Sequence, residues 1–358
     1  MRVLFIARTY PPIVGGMQKF ASDFYNNYKK TGEIDLLANL GGNATLVPFL
    51  IKALFTLLFT SRKYDAILLY DAALFVLIPF IRLVSPAKVL VTVNGLDIVY
   101  SRFGYQKIMP FFLKRVDRVI AISRHTMEQC RLRGIPPEKL RTIPIGITFS
   151  ELGACSNKKK EEMLAKFNLP SGRRFLLTVG RLVKRKGHAW FIENVVRRLP
   201  DDYIYIVAGD GPELKPLKSL VTKMELDDRV FILGEISEEE KHCLYQASDQ
   251  FIMPNITQTG DQEGFGIVLL EAGRYGLPVI ASRIEGIQDA VLDGESGHLI
   301  AEKDANGFID AILHPDLDRA SLSDKVALNY GWENIIGRYY KEFEKMQSDH
   351  NPRRWRKI

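Results

Sequence analysis

Residues Glu263–Glu271 read EGFGIVLLE: two carboxylates eight positions apart, glycines at 264 and 266, and an apolar run before the second carboxylate. The run follows a strand-like segment ending in MPN at Met253–Asn255, so the carboxylates fall where a strand hands over to a helix. That handover is where open α/β sheets bind ligands. Gly264 and Gly266 remove Cβ atoms from the turn and let backbone N–H groups approach a bound oxygen, while the following helix points its positive end at the same place. The arrangement suits a sugar phosphate. An ionised carboxylate only accepts hydrogen bonds, so beside an anion its natural partners are the hydroxyls of a sugar or ribose. The plain alternative is a buried helix whose N-terminal Glu complements the macrodipole.

Working outward, short apolar runs alternate with helical stretches, the pattern of βα units in a parallel sheet. The expected strands are 3–7, 34–38, 66–70, 88–93, 118–122 and 140–143 in the first half, and 175–179, 203–208, 230–233, 250–253, 279–281 and a short GHLI near 300 in the second. A chain of 358 residues exceeds the usual span of one core, and each half has strands for its own doubly wound sheet. The polar stretch 155–174 reads as the interdomain connection, and WENIIGRYYKEFEKM from Trp332 has helical spacing.

Composition is that of an ordinary globular protein, with 46% hydrophobic and 25% charged residues. The net charge of +7 is uneven: residues 1–150 hold 20 Lys/Arg against 9 Asp/Glu, the remainder 29 against 33. A basic half suits an anionic membrane surface or a phosphorylated acceptor; nucleic acid is disfavoured, because no zinc pattern, RNP-like strand or basic recognition helix is present. The N-terminal apolar run VLFI is too short for a signal peptide, and no uncharged run reaches the roughly 18 residues of a membrane span. The apolar stretch 44–61, followed by Arg62 and Lys63, is expected to expose one face to a membrane or lipid acceptor, and 72–84 to pack in the core. Cys130, Cys155 and Cys243 are odd in number and far apart, which suggests neither a disulfide framework nor a metal site and fits a reducing cytosol.

The strand at 175–179 runs into GRLVKRKG, residues 180–187. Gly180 permits a sharp turn, and Arg181 and Lys186 offer a diphosphate one forked donor and one compact ammonium, which would also stabilise a departing nucleoside diphosphate. A solvated basic loop is the alternative. The next strands end in GDGPEL, where Gly209 lies in a tight turn whose backbone could meet a base or ribose or be a plain turn, and in LGEIS, where Glu235 or the nearby backbone is expected to line a nucleobase pocket. In the first half, Gly15 and Gly16 open a helix straight after the first strand without forming a GxGxxG fingerprint. The strand at 88–93 ends in NGLD, placing Asn94 to hydrogen-bond a sugar hydroxyl and Asp97 to accept a hydroxyl proton. Ser123 reads as a helix N-cap, and His125 and His188 as helix-start residues. There is no GxSxG, HExxH or P-loop, and no metal ligand set or cofactor is expected.

Together the GG after the first strand, GRLVKRKG, GDGPEL and EGFGIVLLEA resemble glycosyltransferase family 4, the group 1 retaining glycosyltransferases of GT-B fold, over essentially the whole chain. The resemblance implies two Rossmann-like domains, at 1–160 on the acceptor side and 161–331 on the nucleotide-sugar side, facing a central cleft, with a closing helix in 332–358 crossing back to the first. It also implies that Arg181 and Lys186 bind the donor diphosphate, Glu271 the ribose, and Glu263 the transferred sugar, with backbone help from Phe265, Gly266 and Ile267 and an approach from Gly15 and Gly16. The activity implied is metal-independent, retaining transfer of a hexose from a GDP- or UDP-sugar to a lipid-linked or polysaccharide acceptor, in the cytoplasm or on the inner face of the membrane. GDQEGFGIV is similar to runs in bacterial mannosyltransferases, but enzymes using UDP-sugars carry nearly the same run. One departure is Asn94-Gly95, where many members have His-Gly: asparagine binds a hydroxyl but shuttles no proton. An epimerase or hydrolase of the same fold, or a non-catalytic nucleotide-sugar-binding subunit, are the competing readings.

Overall fold

A computed structural model describes residues 1–13, 15–100, 104–148 and 155–348, apart from the Asn43 side chain. It holds two six-stranded, all-parallel sheets. The first comprises β1 (Arg2–Ala7), β2 (Glu33–Ala38), β3 (Ala66–Leu69), β4 (Lys88–Val93), β5 (Arg118–Ala121) and β6 (Leu140–Thr142), in the order β2-β1-β3-β4-β5-β6. The second comprises β7 (Arg174–Val179), β8 (Tyr203–Ala208), β9 (Val230–Gly234), β10 (Gln250–Met253), β11 (Val279–Ser282) and β12 (Gly297–Ile300), in the order β12-β11-β10-β7-β8-β9. All twelve expected strands are present to within a residue at each end. The reason is burial on both faces: β3, β8, β10 and β11 are buried at every position, so each reads as an apolar run, broken only by Gln250 at the start of β10 and Ser282 at the end of β11.

The chain divides into one compact unit of Met1–Thr148 with Asn329–Ile358, and a second of Phe149–Leu328. The core of the first gathers Leu4, Ile6, Ile67, Leu69, Val89 and Val91 against helices Leu46–Thr60, Ile78–Val84 and Tyr105–Leu113. Helix Trp332–Ser348 belongs to this unit: Trp332 stacks on Phe20, Tyr339 meets Phe24 edge-on, and Glu342 pairs with Arg141 and Arg118. In the second unit Leu176, Tyr205, Val207 and Ile252 pack with Phe191, Leu217 and Phe308.

The stretch expected to be interdomain connection is in part built into the second unit. Residues 149–154 of the wider connecting region lie outside the described residues. From Cys155 the chain is tied down: helix Asn157–Lys166 is capped by Ser156 and pairs Lys159 with Glu239 and Lys166 with Glu240 of helix Glu238–Ala247. The same packing brings Cys155 onto Cys243, and the two form a disulfide across 88 positions of sequence, leaving Cys130 buried and free. The expectation of no disulfide is corrected, because partners that far apart are joined only by the docking of two helices. The cysteines therefore lend no support to a reducing compartment.

The two apolar stretches part largely as expected. Residues 72–84 bury Ala72, Leu74, Leu77, Ile78 and Ile81, though Val76 and Leu83 stay exposed. Helix Leu46–Thr60 buries only Phe49, Ala53 and Leu57 and exposes Val47, Ile51, Phe55, Leu58 and Phe59, the last at 78%. No described helix is long and apolar enough to cross a membrane.

Candidate active site

Each sheet reverses its winding once, between β1 and β3 in the first unit and between β7 and β10 in the second, and the polar clusters of both units lie at the carboxyl ends of those strands.

In the second unit, three strand-end loops interlock through glycine. A Cβ on Gly209 would lie 1.9 Å from the Gly180 carbonyl, and one on Gly211 would lie 2.3 Å from that of Leu182. The backbones bond in the same places: Gly180 N–H donates to Ala208 O at 2.9 Å and Leu182 N–H to Asp210 O at 2.9 Å. Residues Lys184–Lys186 form a single tight turn closed by Gly187, whose φ of +70° and approach to Pro254 O admit no side chain. The Ile256 N–H donates to Arg185 O at 2.8 Å, so the loop after β7 and the loop after β10 are one assembly.

That assembly aims two cations at Glu263. Arg185 Nη1 donates to Glu263 Oε2 at 2.5 Å and Lys186 Nζ to the same oxygen at 2.6 Å, with Asn255 Nδ2 at 3.5 Å. Arg185 is anchored a second time, its Nε donating to Asp261 Oδ1 at 3.0 Å. Glu263 Oε1 accepts no hydrogen bond from the described residues and is not sealed off within the protein. The Glu263 backbone is also held, its N–H donating to Glu285 Oε2 at 2.5 Å and its carbonyl accepting from Gly286 N–H at 3.1 Å. Gly286 is required there, since a Cβ would meet Gly264 O at 2.0 Å. Burial would raise the Glu263 carboxyl, but Lys186 and Arg185 outweigh it and hold the group at about 2. Burial in turn lowers the Lys186 ammonium, with Glu263 opposing. The result is a cluster of two cations and three carboxylates in which both cations share one oxygen of Glu263.

Of the residues expected from sequence, Lys186, Glu263, Gly180, Gly209, Phe265, Gly266 and Ile267 border this edge. Gly266, at φ +89°, starts helix Ile267–Arg274, and Phe265 is buried beneath it. Glu271 sits one turn into that helix, accepting from Tyr245 Oη at 3.1 Å and lying 3.8 Å from Lys241 Nζ. Glu235 is exposed after β9, ahead of the Ser237–Glu240 capping box. Arg181 is exposed and has no ion-pair partner among the described residues; the guanidinium on Glu263 is that of Arg185. Sequence reasoning passed over Arg185, Asp261 and Glu285. Adjacency of Arg185 to Lys186 was a signal, but which cation of RLVKRK faces inward depends on the phase of the Lys184–Lys186 turn. His188 starts its helix as expected, buried with Nδ1 2.9 Å from Tyr205 Oη.

The first unit's edge is built differently. Arg8, directly after β1, donates from Nε and Nη2 to Asp71 Oδ2 at 3.0 and 2.5 Å. Asp97 accepts from the backbone N–H groups of Ala72 at 3.0 Å and Asn94 at 2.8 Å, tying the ends of β3 and β4 together. Each oxygen of Asp97 thus accepts one backbone N–H. Burial, with Asp71 nearby, pushes its carboxyl up to about 7. Asn94 Nδ2 donates to Tyr70 O at 3.0 Å, while its Oδ1 is buried without a partner. Gly15 and Gly16 stand at the start of helix Gly16–Tyr28, and Ser123 caps helix Arg124–Leu132.

Comparison with known proteins agrees with this architecture. The family model for Glycosyl transferases group 1 matches residues 159–319, and that for Glycosyltransferase Family 4 matches residues 30–151. The chain is similar to the GDP-mannose-dependent alpha-(1-6)-phosphatidylinositol monomannoside mannosyltransferase of Mycobacterium tuberculosis, 24% identical over 94% of this chain and 96% of the relative. It is 28% identical to the protein of the same name from Mycolicibacterium smegmatis, over 74% of this chain and 70% of that one. Among solved structures, Anabaena HepE in complex with UDP superimposes with a TM-score of 0.76 and 18% identity, covering 96% of this chain and all of that one.

Proposed function

As a member of the group 1 glycosyltransferases of family 4, a GT-B chain with glycosyltransferase activity, this protein, we propose, transfers a hexose with retention of configuration, without a metal, from a nucleoside-diphosphate sugar to a lipid-linked acceptor. The observation that carries the reading is the Arg185–Lys186–Glu263 cluster at the β7/β10 switch point, with one carboxylate oxygen left open. An arriving diphosphate draws Lys186 from Glu263, and Arg181, exposed and unpaired among the described residues, supplies a second cation from the same loop. Helix Ile267–Arg274 presents its N-terminal N–H groups, and Glu271 accepts the ribose hydroxyls. Glu263 Oε1 accepts from the transferred sugar, and its charge favours the oxocarbenium-like character that develops at the anomeric carbon. In front-face attack the departing phosphate takes the acceptor hydroxyl's proton. No protein nucleophile is then needed, in keeping with an asparagine at position 94.

Mannose from GDP-mannose is the first donor to test, because that donor is named for the relatives that match this chain over most of its length. Membrane contact is part of the reading. Helices Leu46–Thr60, Ile78–Val84 and Tyr105–Leu113 are neighbours and contain no Asp or Glu. They expose Ile51, Phe55, Phe59, Leu83 and Phe111 beside Lys52, Arg62, Lys63, Lys107, Lys114 and Arg115, as suits an interface with anionic lipid.

The deciding experiment incubates the protein with GDP-mannose, and separately with UDP- and ADP-sugars, with and without a polyprenyl or phosphoinositide acceptor, and determines the product's anomeric configuration by NMR. One donor gives a retained glycoside in the presence of EDTA, and Lys186→Ala lowers the rate by about 100-fold or more. Inversion, or donor conversion at a similar rate without acceptor, would overturn the reading in favour of another chemistry. Donor binding without turnover across the acceptors would favour a non-catalytic subunit.

A further inference from the structure

Glu263 has two cations on one oxygen, and they are held in different ways. Lys186 reaches Oε2 from a flexible four-carbon stem with no second anchor among the described side chains. The Arg185 guanidinium is gripped at two points, Nη1 on Glu263 and Nε on Asp261, and its carbonyl is bonded to Ile256 N–H. Both are largely enclosed, with side chains 9% and 14% exposed. A planar fork fixed by two carboxylates is not free to turn toward a third anion, whereas an ammonium on a stem is.

We propose that Arg185 is a positioning residue: it keeps the Glu263 carboxylate ionised, with Oε1 turned toward the transferred sugar, after Lys186 has left Glu263 for the donor's diphosphate. The inference rests on the donor-site reading above and assigns the two adjacent cations different partners during turnover. Without Arg185, departure of Lys186 would leave a carboxylate 13% exposed and without a cation, and such a group takes up a proton. A protonated Glu263 neither favours positive charge at the anomeric carbon nor holds a fixed acceptor direction. Asp261, 38% exposed, anchors the fork from the solvent side.

The test compares Arg185→Met, Arg185→Lys and Asp261→Asn with the wild type by calorimetric binding of the nucleoside diphosphate and by kcat across pH 4–9. Arg185→Met is expected to keep nucleoside diphosphate binding within about threefold while kcat falls by about 100-fold. Its acid limb of kcat should move up by about one pH unit or more. Arg185→Lys, retaining the charge, should restore the acid limb but only part of kcat; Asp261→Asn should lower kcat by about tenfold with binding intact. If Arg185→Met loses diphosphate binding in step with kcat, Arg185 is a phosphate ligand and the proposal falls. It falls equally if kcat and the pH profile are unchanged. Should Arg185→Met fail to fold, the Arg185→Lys and Asp261→Asn profiles decide: acid limbs and kcat unchanged in both would overturn it. A wild type that binds no nucleoside diphosphate would instead sink the donor-site reading itself.

Discussion

At their switch points the two sheets use the same backbone device, parallel strands ending together, but fill it with opposite electrostatics. The β7/β10 edge is crossed by backbones at glycine contact distance and carries two cations on one carboxylate. At the β1/β3 edge, Arg8 meets Asp71 while a second buried carboxylate, Asp97, is satisfied by backbone N–H groups alone. The second edge holds a buried amide oxygen at Asn94 with no partner among the described residues, of the kind that a neutral hydroxyl satisfies. The same topology thus sets two cations on one carboxylate oxygen at one edge and, at the other, leaves two carboxylates to one arginine and the backbone.

The sharpest way to break this contrast is to remove the close backbone approach on which the second unit's edge depends. Gly187→Ala places a methyl group 1.9 Å from Pro254 O at φ +70°. It should destabilise the second unit by about 3 kcal/mol or more and abolish transfer, whereas Gly172→Ala, at φ +74° in open space, should cost only about 1 kcal/mol. Calorimetry showing both variants equally stable would mean that the interlocked loops do not matter.

A smaller effect separates the units by surface. Phe55→Ser with Phe59→Ser should reduce co-sedimentation with phosphatidylglycerol-containing vesicles by about tenfold to a hundredfold, and leave nucleoside diphosphate binding unchanged. The double variant should remain as monodisperse in light scattering as the wild type. Unaltered vesicle binding, or a dimer in the wild type that the variant dissolves, would assign this face to another partner.

The mildest effect is a pair of opposed pH slopes. Glu263, held at about 2 below an ordinary value of 4.5, lends stability that is present above pH 4.5 and lost as pH falls through 2. Asp97, raised from 3.8 to about 7, does the reverse: its contribution is full below pH 3.8 and is lost as pH rises through 7. Each slope is at most about 1.4 kcal/mol per pH unit. Denaturation followed across pH should show Asp97→Asn flattening the slope between pH 4 and 7, and Glu263→Gln flattening the one between pH 2 and 4.5; the same slopes in both variants as in wild type would remove the contrast.

How much was legible follows from how far apart the determinants lie. Strand interiors were readable because a strand buried on both faces is apolar at nearly every position, the few buried polar groups such as Thr178 bonding within the protein. Glycines at 180, 187, 209, 211 and 266 marked the strand-end turns, since their φ values exclude other residues. Glu263 and Lys186 could be named because each lies within a local motif. The pairing of Arg185 with Glu263 and Asp261, the link of Arg8 to Asp71 across 63 positions, and the Cys155–Cys243 bond had no local signature.

By itself, then, the sequence determined two βα-alternating sheets, the edges at which their turns fall, and the carboxylate and lysine that meet at the β7/β10 edge, because local sterics and burial periodicity act over a few residues. Only the tertiary structure decided which arginine faces inward, which oxygen of Glu263 stays open, and that Asp97 ties the ends of two strands through their backbone N–H groups. Those outcomes depend on loops from strands distant in sequence meeting at one point, where a rotation of a single turn exchanges the buried cation for the exposed one.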